Sequence, residues 1–157
     1  MEAEPRNPLE RKLRPLLAER KVKDAIIEVK DFMRRDKLDP ALNTRLHGLY
    51  KQQGDHSVTL EHGQQWLTAL ARAGLGAEAL AALRALRAID PTFSIREGDA
   101  VLAAATAAMR AHDTAIAADL LRGFDERFPQ HKDTQGAQAL RARLLSEERL
   151  QHDKSGS

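Results

Sequence analysis

Between positions 69 and 118, 19 of 50 residues are alanine. Alanine has the highest helix propensity and a side chain small enough to let two helix axes come close. A run this dense therefore favours tightly packed helices. It suits a sheet poorly, because sheets draw on β-branched and aromatic side chains. The chain's aromatics point the same way, with four Phe, one Tyr and one Trp in 157 residues. That length is enough for one domain burying roughly two-thirds of its unfolded surface.

Apolar spacing divides the chain into eight predicted helices. Asn7-Pro8 reads as a helix cap followed by proline at the first helical position. Leu9, Leu13, Leu16 and Leu17 then share one face, with Pro15 expected to bend or split the helix. Val22, Ala25, Ile26, Val29, Phe32 and Met33 form the clearest amphipathic stripe. A third helix is predicted over about 40–53, closed by Gly54-Asp55, and a fourth over about 56–73, with Ser57 as a capping residue. A fifth covers about 77–89, ending at Asp90-Pro91. A sixth covers about 97–111, and a seventh runs over 114–128 behind Asp113 as its cap. The eighth runs from about Thr134 to Arg149. Residues 1–8 are expected to be a disordered arm, 9–149 one helical domain, and 150–157 a disordered polar tail. Connectors of two to six residues imply antiparallel neighbours throughout.

A repeat emerges when the segments are overlaid. Ala79 precedes Pro91 by 12 residues, Ala117 precedes Pro129 by 12, and the two prolines lie 38 apart. Each stretch opens after a turn (Gly74-Leu-Gly76 and His112-Asp113) and carries large apolar residues inward, Leu80, Leu83 and Leu86 in one and Leu121, Phe124 and Phe128 in the other. A period in the thirties, of paired helices closed by proline, marks a helical solenoid. These residues resemble the tetratricopeptide repeat, most strongly over 58–129 and more loosely over 20–149. Trp66 and Leu70 fall on the family's large first-helix positions, while Leu67 stands where it expects a small residue. Gly54-Asp55 is followed by Thr59 and Gly63, which depart from the second-helix pattern, so a phase break is expected around 54–74. The resemblance implies an all-α fold of antiparallel hairpins stacked as a right-handed superhelix. It places Ala79 and Ala117 at close helix crossings.

Chemistry-bearing patterns are sparse. With no cysteine, disulfides, thiolate zinc sites and cysteine nucleophiles are excluded. Gly74-x-Gly76-x-x-Ala79 matches a dinucleotide-binding string but follows a helix rather than a strand, so it reads as a turn. His56 and His62 stand about 240° apart on a helix, and the remaining histidines are scattered. Ser57, Ser94 and Ser146 lack a nucleophile frame. Asp125-Glu126 and Glu147-Glu148 read as solvated helix ends. No enzyme, cofactor or metal is expected. Twenty-five basic against 23 acidic residues leave a net charge of +2, which argues against nucleic acid as partner. Arg11, Lys12, Arg14, Arg20, Lys21 and Lys23 are interrupted by Glu10, Glu19 and Asp24, as on a solvated face. The acidic opening Met1–Pro5 has no apolar run behind it, which argues against a signal peptide and for a cytoplasmic protein. No stretch is apolar enough for direct membrane insertion.

The resemblance implies a concave surface lined by the first helix of each pair: Glu61, Gln64, Thr68 and Arg72, then Asp99, Leu102, Thr106, Met109 and Arg110. Its mix of apolar, hydroxyl and Arg groups suits a protein or peptide segment better than a small-molecule substrate. Asn7 and Asn43 are the only asparagines, too few for the family's clamp on a C-terminal carboxylate. The expected function is a non-catalytic protein–protein interaction scaffold. The rivals are a regulatory domain of a larger enzyme or membrane protein and, third, a nucleic-acid-binding helical domain. Self-association stays open.

Overall fold

A computed structural model describes residues 7–131 and 134–155. Among these every regular element is a helix: α1 (Pro8–Ala18), α2 (Val22–Phe32), α3 (Pro40–Gln53), α4 (His56–Arg72), α5 (Gly76–Ile89), α6 (Gly98–Arg110), α7 (Thr114–Leu121), α8 (Phe124–Arg127) and α9 (Thr134–Ser155). No described helix is long and apolar enough to cross a membrane. Where the spacing suggested one domain over 9–149, the chain divides into two compact units, residues 1–69 and 70–157.

In the first unit, α1 packs on α2 and α2 on α3. The caps lie mostly where short polar residues promised them. Asn7 Oδ1 accepts from Leu9 N–H at 2.9 Å, and Asp39 Oδ1 accepts from Leu42 N–H at 2.8 Å, each ahead of a proline at the first helical position. Pro15 does not split α1. The cap of α4 is Asp55, whose Oδ1 accepts from Val58 N–H at 3.2 Å, and not Ser57, which lies inside the helix. Leu9, Leu13, Ala25, Val29 and Leu49 form the driest part of the core.

In the second unit, α6 packs against α5, α7 and α9. Its inward face is Ala100, Val101, Ala104, Ala105, Ala108 and Met109, none more than 1% exposed. Ala79 and Ala117 are both fully buried. The seventh predicted helix is interrupted, so the described residues hold nine helices rather than eight. Arg122 is extended and Gly123 adopts φ +65°, a left-handed conformation that glycine accepts without a Cβ clash. The break turns Phe124 fully inward. It also frees the Leu121 carbonyl, which Arg141 of α9 caps at 3.0 Å while holding Asp125 at 3.1 Å. The expected tail is corrected as well, since α9 continues through Ser155. The expected arm is described only at Asn7 and Pro8, the cap and first residue of α1, and residues 1–6 and 156–157 lie outside the described residues.

One turn recurs. Arg20, Gly74 and His112 each sit at positive φ, at 60°, 74° and 58°. In each case the next residue's N–H reaches back five residues: Lys21 to Leu16 at 2.8 Å, Leu75 to Leu70 at 2.9 Å, and Asp113 to Ala108 at 2.8 Å. This is the helix-closing motif that uses one left-handed residue. The residue after the hinge is at once the N-cap of the following helix.

Candidate interaction grooves

The first unit is organised around a buried amide. Asn43, fully buried on α3, donates from Nδ2 to the carbonyls of Lys37 at 2.9 Å and Asp39 at 2.8 Å. Its Oδ1 accepts from Gln65 Nε2 at 2.9 Å and pairs with His62 Nε2 at 2.9 Å. All four hydrogen-bonding positions of the side chain are therefore used, and the α2–α3 connector, α3 and α4 are tied at one point. Because the Asn43 oxygen can only accept, His62 donates from Nε2, which leaves its buried Nδ1 as an unpartnered acceptor. Beside this hub, His47 stacks on Trp66 with ring centroids 4.0 Å apart, and Trp66 Nε1 donates to Thr44 Oγ1 at 2.9 Å. Both histidines are held neutral. Burial first, then the Lys51 charge, pushes His47 down to about 4. Burial, then His47 and Lys30, does the same to His62.

A groove of about 680 Å³ opens against this hub between α2, α3 and α4. Its floor is apolar, formed by Met33, Leu46 and Tyr50, all buried. Lys30, Arg34 and Lys37 line it from the α2 side, and Val58, Glu61, His62, Gln64 and Gln65 from α4. A second groove, of about 500 Å³, lies within the second unit. Leu102, Thr106 and Arg110 of α6 face Ala71, Gly74, Gly76 and Ala77 across it, and Ala103, Ala107 and Ala111 complete the lining. Nearly every side chain here is small, so a guest backbone can approach the helices closely.

The nine residues expected on one concave surface separate. Glu61 and Gln64 line the first groove, while Leu102, Thr106 and Arg110 line the second. The hydroxyls of Thr68 and Thr106 turn back onto their own helices, to the carbonyls of Gln64 at 3.0 Å and Leu102 at 2.8 Å. Arg72 stands 3.8 Å from Glu97. Asp99 is taken up by His131, at 2.7 Å from its Nε2. Met109 is a correction: it is 1% exposed and packs in the core of the second unit, so it cannot serve as an adaptable surface contact. Its phase explains why. Met109 lies four residues after Ala105 and eight after Val101, on the buried side of α6.

Spacing did not reveal Lys30, Arg34, Lys37 and the Asn43 hub as parts of a site. One signal was available, because Asn43, Leu46, His47 and Tyr50 fall at i, i+3, i+4 and i+7. A polar residue inside such a stripe is either buried and fully bonded or functional. Among the described residues no group of three or more His, Cys, Asp or Glu side chains is placed to hold a metal ion. Comparison with protein-family models, curated proteins and solved structures finds no match.

Proposed function

We propose that this chain is a protein-interaction module without a catalytic step, whose second unit packs its hairpins in the tetratricopeptide manner, as part of a right-handed superhelix. The reading is supported by the equivalence of the Gly74 and His112 turns, 38 residues apart, and by the buried alanines Ala79 and Ala117 at matching positions. The observation that carries the function is the second groove. Its lining is small and apolar, with one exposed cation, Arg110, at its edge. Such a surface takes up a helix or extended segment by close backbone approach, and the guanidinium pairs with a guest carboxylate or carbonyl. It offers few fixed polar groups with which to orient a small substrate.

A photo-crosslinking residue at Ala103 tests this. Crosslinks to a protein segment are expected, and Arg110→Glu and Thr106→Trp should each remove them with the melting temperature nearly unchanged. Crosslinking that survives both substitutions overturns the assignment of the groove.

A further inference from the structure

The first groove differs from the second in carrying charge, and it points to a partner of definite chemistry. Lys30 near the end of α2, and Arg34 and Lys37 of the α2–α3 connector, line one side of it, so three cations stand along the groove. Glu61 is the one carboxylate in the lining, which leaves cations in excess. Some of that charge is engaged at the surface: Arg34 pairs with Asp31 at 3.0 Å, and Lys30 lies 5.7 Å above the Tyr50 ring. The Arg34–Asp31 pair is a solvent-exposed arrangement that a better carboxylate can replace at small cost. Between the cations and α4 lies the buried apolar floor. Apolar surface also reaches solvent within the lining, where Val58 is 38% exposed. An apolar centre flanked by charge of one sign is the anatomy of an interface that recognises an oppositely charged amphipathic segment.

We propose that the groove between α2, α3 and α4 binds an acidic amphipathic helix of another protein. Carboxylates on one side of that helix lie against Lys30 and Arg34, and its apolar side chains rest on Met33, Tyr50 and Val58. The site is independent of the groove in the second unit. Nucleic acid would satisfy the cations but leave the apolar floor and Val58 unused.

The test is a fluorescence-anisotropy titration of the full chain with a labelled synthetic helix of about 15 residues, carrying Glu at i, i+4 and Leu at i+3, i+7. Binding should be at least about tenfold tighter than for the same peptide with Lys in place of Glu, and it should weaken with salt. Lys30→Glu combined with Arg34→Glu should abolish it, as should Val58→Asp. Arg110→Glu should leave it unchanged, which separates failure here from failure of the second groove. The proposal falls if the acidic helix does not bind, if binding survives the double charge reversal or Val58→Asp, or if a single-stranded oligonucleotide competes as well as unlabelled peptide.

Discussion

In the second unit the helices meet through alanine, with Ala79, Ala82, Ala100, Ala104, Ala105, Ala108 and Ala117 each no more than 2% exposed, whereas among the described residues the buried polar side chains Asn43, His47 and Thr59 all belong to the first. These are two different ways of fixing how helices pack. Small residues set a close axial distance, and any larger side chain is excluded by shape. A bonded amide sets register instead, because every sliding of α4 along α3 would leave Asn43, Gln65 or His62 unsatisfied in a dry place. The surfaces follow from the interiors. The alanine unit presents a smooth, nearly uncharged groove, and the polar-hub unit presents a wider one with a cationic wall.

Acid should separate the two units most. His47 and His62 hold pKa values of about 4 in the fold against 6.5 when unfolded. As pH falls below 6.5 the unfolded chain takes up these protons first. The stability that the neutral histidines support is therefore present above pH 6.5 and is lost progressively down to about pH 4. Each contributes a slope of up to about 1.4 kcal/mol per pH unit, so the combined loss is on the order of 3 kcal/mol or more. Amide exchange should show the first unit opening before the second as pH drops from 6.5 to 5, above the range of ordinary carboxylates. The double variant His47→Gln, His62→Gln should flatten that slope, and a slope unchanged in the variant would assign the acid sensitivity elsewhere.

Asn43→Leu removes four hydrogen bonds and strands their partners. A cost of about 2–3 kcal/mol is expected in a urea melt, since buried polar partners left unmade are expensive. The matching experiment in the alanine unit is Ala79→Leu or Ala117→Leu, which should overpack a crossing and cost about 1–3 kcal/mol. Glu78→Leu, one position away and exposed, should be nearly neutral. Equal effects at Ala79 and Glu78 would break the contrast between the two interiors.

The same contrast decides how much the sequence discloses. Alanine packing is written in composition and period, so the helices of the second unit, the burial of Ala79 and Ala117 and the cap at Asp113 are all legible. Gly123 escapes because a single glycine within an apolar stripe looks tolerable, and only the inward turn of Phe124 shows why the helix stops there. Polar packing is written in pairs that are distant along the chain. Nothing adjacent to Asn43 announces Gln65, 22 residues away, or the Lys37 carbonyl. Lys30, Arg34 and Lys37 are visible in the sequence, but their meaning depends on what α3 and α4 set beside them. Three of the nine residues expected on the concave surface are engaged elsewhere for a related reason. Asp99 and Arg72 have acquired partners, and Met109 is one helical step from where surface and core divide.

The smallest effect expected concerns the shared turn. Arg20, Gly74 and His112 adopt the same left-handed conformation, yet only one of them is glycine. A Cβ in this region costs energy that glycine avoids. His112→Gly and Arg20→Gly should each raise stability by at most about 0.5–1 kcal/mol, partly offset by the extra freedom glycine brings to the unfolded chain. The His112 side chain itself adds little, because its ring lies 3.9 Å from Glu147 and is 77% exposed. Gly74→Ala should cost a similar amount in the opposite direction, and purely through the backbone, since no atom within 4 Å would meet the new methyl group. Differential melts of the three variants against the parent measure all of this. Opposite signs at His112 and Gly74 would establish that the two turns are energetically one device used twice within the alanine unit. Matching signs would mean that the side chains, and not the shared backbone conformation, determine how each hairpin closes.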